Sequence, residues 1–350
     1  LGIIAYRRTS SIGDYMLGGR ALGPGVAALS AGASDMSGWL LMGLPGAMYE
    51  TGISSGWIVI GLTIGAYLNW LLVAPRLRIY SYISDDAITI PDFFEKRFKD
   101  SKGLLRSFSA AVTLIFFTLY ATSGFVAGGR LFNAVFDIEF VTGVIILASI
   151  IILYTFIGGF LAVSWTDFVQ GLIMLFALIF VPAIAIMATD GVSNALDTVR
   201  DIDEALLDPW TGQSLIGIIS LFAWGLGYFG QPHIIVRFMA IGKLEDIKTA
   251  RRIGISWMVF TVVGAMATGL FGLAYYTQQG LTIDNPENIF INLSDLLFPD
   301  LVTGVLLAAL LAAIMSTISS QLLVSSSAAT TDFYQKFFRK DAGDRELVMA

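Results

Sequence analysis

The sequence predicts an all-α integral membrane protein laid out as a five-plus-five inverted repeat whose second half is incomplete, and three observations carry that reading. Hydrophobic residues make up 56% of the 350 and charged residues only 14%, against about 25% charged in an ordinary soluble domain. Eight apolar runs, each close to the ~20 residues needed to cross a ~30 Å hydrocarbon core, follow one another after an N-terminal stub. The first and the sixth of these runs are interrupted in mid-course by glycines, and interrupted segments at corresponding places in two halves mark an inverted-repeat carrier with its site between the halves.

In chain order, residues 1–6 read as the end of an initial helix, since the chain opens on Leu-Gly-Ile-Ile-Ala-Tyr without a Met and so looks cut at the front. The spans then fall near 22–48, 54–74, 107–135, 142–159, 164–189, 213–236, 253–276 and 298–328, joined by short polar connections. Residues 22–189 form the first five-helix repeat and 213–328 the first three helices of the second, within one transmembrane domain over 1–350. The last helices of the second repeat are expected to be missing.

Basic residues orient the bundle. Arg7, Arg8 and Arg20 precede the first span, and Arg76, Arg78, Lys96, Arg97, Lys99, Lys102 and Arg106 follow the second. Arg237, Lys243, Lys248, Arg251 and Arg252 follow the sixth, and Lys336, Arg339, Lys340 and Arg345 the eighth. Those ten and nine make nineteen of the 21 Lys and Arg, leaving Arg130 and Arg200 for the other face. The nineteen face the cytoplasm, and an even number of spans between two basic ends agrees.

The stretch Ala31-Gly-Ala-Ser-Asp-Met-Ser-Gly-Trp39 breaks the first span. Asp35 is the one ionisable side chain between Leu22 and Met48, flanked by Gly32, Gly38 and two serines that favour turns over helix. A helix unwound in lipid needs partners for its freed backbone, so such breaks survive around a cavity or a bound ion. An acid placed there marks a functional site by default, although it also suits the cap of a second half-helix. Trp224, Gly225, Gly227, Tyr228, Gly230 and Pro232 interrupt the sixth span in the same way.

Other patterns exclude functions. Zero cysteines rule out disulfides and thiolate metal sites, and a single histidine builds no metal cluster. The net charge of −6 is uninformative in a membrane protein. Gly225-x-Gly-x-x-Gly230 matches the dinucleotide fingerprint, yet no strand precedes it. Gly124 with Gly128, and Gly61 with Gly65, have the spacing of helix packing contacts. His233 reads as a hydrogen-bonded interior side chain rather than a ligand.

The eighth span supplies hydroxyls at Ser316, Thr317, Ser319, Ser320 and Ser325 to Ser327. On a helix Ala313, Ser316 and Thr317 share a face. Two hydroxyls, the Ala313 carbonyl and two carbonyls near Ala33 and Met36 are the hard oxygens a sodium ion takes. Packing between helices accounts for the same hydroxyls equally well.

Asp14-Tyr-Met-Leu-Gly-Gly-Arg20, Ala31 through Gly46, Phe156-Ile-Gly-Gly-Phe-Leu-Ala-Val-Ser-Trp-Thr-Asp167 and Gly225 through His233 together resemble the sodium/solute symporter family. The resemblance runs from Asp14 to the end of the chain. It implies a leucine-transporter-like fold and sodium-coupled uptake of L-proline across the bacterial cytoplasmic membrane by alternating access. Carried over by residue, it puts the sodium site on the carbonyls of Ala33, Met36 and Ala313 and the hydroxyls of Ser316 and Thr317, with Asp35 adjacent. The proline pocket then falls on Ser37, Gly38, Trp39, Tyr120, Trp224, Tyr228 and Pro232. No cofactor is implied beyond sodium as coupling ion, and no nucleic acid.

Physical chemistry supports the substrate class. A small zwitterion needs donors for its carboxylate, acceptors for its ammonium and an apolar wall. Half-helix ends supply the first two, and Trp224, Tyr228 and Tyr120 the third. Two alternatives stay open at this point, a transporter-like sensor domain of a signalling protein and a symporter for another small solute. No nucleophile, base and orienting group stand together as an enzyme needs.

Overall fold

The computed structural model describes residues 2–7, 9 and 11–349; Leu1 and Arg8, which the sequence reading placed in the stub and among the basic residues, lie outside the described residues. The described residues fold almost wholly into helices, without a strand beyond one bridge between Leu22 and Ile241. Among them, five helical stretches are long and apolar enough to cross a membrane: Gly38–Ile83, Leu104–Phe136, Phe140–Ala188, Asp246–Gln278 and Asp300–Phe338. The pair Leu215–Gly230 and Pro232–Ala240, bent by 46°, passes the same test together.

Two of these stretches run to 46 and 49 residues, about 70 Å if straight, more than twice the hydrocarbon thickness. Each reverses at a glycine. Gly159, at φ 53 and ψ −147, interrupts Phe140–Ala188. On one side of it the Tyr154 hydroxyl donates to the carbonyl of Met315 at 3.4 Å. On the other side Gly171 packs on Ala33, whose carbonyl accepts from the neighbouring Ser316. Positions 154 and 171 therefore stand at one height beside the same helix, although a straight helix would separate them by about 25 Å. Gly52, at φ 64 and ψ −154, turns the chain after Gly43–Thr51. Pro45 approaches Gly269 and Gly56 approaches Met266, whereas Ala28 and Trp70 both approach Gly254. The segments on either side of Gly52 thus run in opposite directions along Asp246–Gln278. A residue with a Cβ adopts neither turn without strain.

The first predicted span is Pro24–Met36 and Gly43–Thr51, separated at Ser37. Pro24 starts it, as suits a residue whose missing N–H lies in the first turn anyway. The predicted sixth span is Leu215–Ala223, a 3-10 stretch Trp224–Gly230, and Pro232–Ala240. Ser214 caps its start by accepting from Gly217 N at 3.0 Å, and Pro232 restarts the helix after the break.

Two expectations are corrected. Three of the connections carry helices of their own, Ile90–Phe98, Val192–Ile202 and Ile289–Leu297. Val192–Ile202 turns an apolar face inward, with Ala195 and Val199 four residues apart and both buried. Arg237, counted among the solvent-facing charges after the sixth span, is fully buried. Its guanidinium pairs with the equally buried Asp167 at 3.1 Å. A charge out of water needs such a partner.

Candidate functional site

The first break gathers the groups that the sequence singles out. A helix ending at Met36 leaves the carbonyls of residues 33–36 without intrahelical donors. Ser37 has φ 51 and ψ −170, so the chain leaves the helix abruptly there, and its hydroxyl accepts from Trp39 N at 3.3 Å. Of the freed carbonyls, that of Ala33 accepts from the Ser316 hydroxyl at 2.8 Å. Ser316 Oγ also lies 3.1 Å from the Ala313 carbonyl, and Thr317 Oγ1 lies 3.2 Å from the same oxygen. Ser316 and Ala313 are wholly buried and Thr317 nearly so. Four oxygens from two helices far apart in sequence thus crowd one buried spot. Met36 ends the same helix turn and is itself buried.

Asp35 points away from that spot. Its carboxylate accepts a short hydrogen bond from the hydroxyl of Tyr228 in the 3-10 stretch, and the Tyr120 hydroxyl lies 3.5 Å from its carbonyl. Tyr228 is buried at 5% exposure and Asp35 is half-buried, so both breaks meet through one partly buried hydroxyl–carboxylate contact. A carboxylate here with no ion pair among the described residues is costly to keep charged, and a cation bound nearby would offset that cost.

An open cavity of about 320 Å³ lies beside the break, lined by Asp35, Ser37, Trp39, Tyr120, Trp224 and Tyr228 among others. A neighbouring one of about 240 Å³ shares Ser37, Trp39 and Tyr120, adds Gly38 and Thr317, and reaches Arg130 and Glu287. Of the seven residues expected at the substrate, six therefore line these two adjoining spaces. Pro232 does not. It lines a separate cavity with Met16, Phe160, Val236 and Asp332, because restarting the helix turns it away from Tyr228.

The family profile of the sodium:solute symporters matches residues 15–350. The chain belongs to the sodium:solute symporter family. It is 58% identical over 348 residues to the high-affinity proline transporter of Bacillus subtilis (strain 168), covering 99% of this chain and 74% of that protein. It is 52% identical over 352 residues to the sodium/proline symporter of Escherichia coli (strain K12), covering 99% and 70%. A Na+-coupled sialic acid symporter in a substrate-bound outward-open state shares the fold, with a TM-score of 0.85 at 20% identity over 99% of this chain and 74% of that one.

Sequence reasoning about this family member missed a second polar node. Ser30 Oγ donates to Asp167 Oδ2 at 2.8 Å and accepts from Arg237 Nε at 3.0 Å. Arg237 also reaches Ser320 Oγ at 2.5 Å and the carbonyl of His233. All five residues are fully buried. The node joins helices Pro24–Met36, Phe140–Ala188, Pro232–Ala240 and Asp300–Ser327. Asp167 and Arg237 within apolar runs were the available signal. His233 is interior as expected, but neither ring nitrogen makes a hydrogen bond of normal geometry. Its ring instead stands edge-on to Phe117 at 5.2 Å and Tyr120 at 6.4 Å.

Proposed function

We propose that this symporter carries L-proline into the cell with sodium by alternating access in the bacterial cytoplasmic membrane. The observation that carries the reading is the buried contact of Ser316 with Ala33, one helix turn from a cavity walled by Trp39, Tyr120, Trp224 and Tyr228. The relatives supply the substrate, since two of the most similar are named for proline.

Sodium sits among the carbonyls of Ala33, Met36 and Ala313 and the hydroxyls of Ser316 and Thr317. These are neutral oxygens, so the Asp35 carboxylate supplies the negative potential that makes entry favourable. Bound there, the ion ties the broken first span to Asp300–Ser327 and holds the half-helix end facing the cavity. Proline then lies with its ring against Trp39, Tyr120, Trp224 and Tyr228, and its charged groups at Ser37, Gly38 and the half-helix ends. Pro232 acts on the pocket by restarting the helix rather than by touching substrate.

The scaffold is the leucine-transporter-like five-plus-five repeat, with Gly52 and Gly159 dividing the two longest stretches so that eight spans cross. Arg130 and Glu287 mark the outer mouth of the cavity. The inner side is closed by Arg20, which bonds Asp86 at 2.8 Å and the Met239 carbonyl at 2.9 Å. Arg78 adds a bond to the Ile241 carbonyl at 2.6 Å. One sodium moving down roughly 100 mV and a tenfold gradient releases about 3.7 kcal/mol, enough to accumulate proline several hundredfold. Competition tests the substrate: unlabelled proline should suppress sodium-driven uptake of labelled proline, and equal suppression by unrelated amino acids or sugars would refute it.

A further inference from the structure

Gly61, Gly65 and Asn69 lie four residues apart on one face of the second span. Each meets the interrupted sixth span at positions three residues apart. A Cβ on Gly61 would run into the backbone of Phe222, and one on Gly65 into the carbonyl of Gly225. Asn69 Nδ2 donates to the carbonyl of Tyr228 at 2.9 Å. Four residues of α-helix rise about 6 Å and three residues of 3-10 helix also about 6 Å. The step from Gly225 to Tyr228 lies within the 3-10 stretch Trp224–Gly230, whereas Phe222 belongs to the α-helix before it, so it is the contact of Asn69 with Tyr228 that depends on the 3-10 form.

Asn69 is 1% exposed and opens a π-turn, Asn69–Val73, within its helix. Its other amide atom, Oδ1, has no hydrogen-bond partner. A cavity with about 20 Å³ of free space is lined by Asn69, Asp35 and Tyr228, room for one buried water. We infer that Asn69 is a positioning residue of the substrate site: it holds Tyr228 by its main-chain carbonyl, and through one water joins the Asp35 carboxylate from behind. The second span thereby sets the 3-10 stretch and the ring that faces the cavity. This rests on the reading that Tyr228 contacts proline.

The test uses the full-length protein with Asn69→Leu and Asn69→Ser. In Asn69→Leu the proline concentration for half-maximal uptake should rise about tenfold or more, the effect of one lost bond to a buried carbonyl. Sodium half-saturation at saturating proline should stay within about threefold, a change worth under half of that lost bond. Hydrogen exchange of the amides of residues 224–230, followed by mass spectrometry without substrate, should quicken. Asn69→Ser, which retains a small donor and space for water, should fall between wild type and Asn69→Leu. If Asn69→Leu fails to insert, Gly65→Ala strains the same contact and should move the same two readouts. Wild-type proline dependence with unchanged exchange, or a shift in the sodium curve alone, overturns the inference. Should the wild type itself take up no proline, the substrate reading falls, and the exchange data still decide whether Asn69 holds the stretch.

Discussion

Removing the Ser316 hydroxyl asks the ion site for a measurable answer. Ser316 Oγ is wholly buried between two carbonyls, 2.8 Å from Ala33 O and 3.1 Å from Ala313 O. On the proposed reading all three oxygens face the cation when sodium is bound, and Ser316→Ala deletes one ligand. An unmatched polar partner in such a place costs about 1–3 kcal/mol, equivalent to roughly 5- to 150-fold in apparent sodium affinity. Thr317→Val keeps the shape and deletes the second hydroxyl, so it should weaken sodium as Thr317→Ala does. The assay is proline uptake against sodium concentration, paired with thermal unfolding at low and high sodium. Ligation predicts that the variants lose the stabilisation sodium confers, since an ion that binds only the folded state raises its stability by mass action. A packing role predicts the reverse, a stability loss of equal size at every sodium concentration. Wild-type sodium curves for both variants would refute the ligand assignment.

Asp35→Asn should remove or sharply weaken sodium stimulation in protein that still inserts, and an unchanged sodium dependence would take Asp35 out of the mechanism. Trp224→Ala and Tyr228→Ala should each raise the proline concentration for half-maximal uptake by about tenfold or more, as loss of an aromatic anchor does at other binding sites, with a much smaller change for sodium; the opposite pattern would place them at the ion. Asp167→Asn leaves Arg237 buried without its counter-charge and should cost about 3–5 kcal/mol of stability. Thermal unfolding in detergent checks this, and combining it with Arg237→Gln should recover part of the loss. If the single variant melts as wild type, the ion pair does not carry that energy.

The membrane class and the two interruptions were legible because each rests on local chemistry, whereas the residues along the cavity wall came with the family resemblance. An acid among glycines and serines at Asp35, or three glycines beside Trp224 and Tyr228, announces a broken helix without reference to anything distant. Reversal of the chain at Gly159 was legible from an apolar run too long for one crossing. What escaped was pairwise and distant. Arg237 looked like a flanking charge because its partner Asp167 lies 70 residues away, and neither residue alone says which way it points. Pro232 came to the pocket with the family resemblance, but a helix restarting after a 3-10 stretch turns its first residue to another side. Gly61 with Gly65 read as a packing pair and Asn69 drew no reading, because its contact with the 3-10 stretch appears only when both partners are seen.

The most direct measurement reconstitutes the full-length protein in vesicles and imposes an inward sodium gradient with labelled L-proline outside. Accumulation above the external concentration, collapsing when an ionophore dissipates the sodium gradient, is the predicted result. Proline uptake that proceeds equally without sodium, or that only equilibrates across the membrane while the gradient stands, would contradict coupling of the two fluxes.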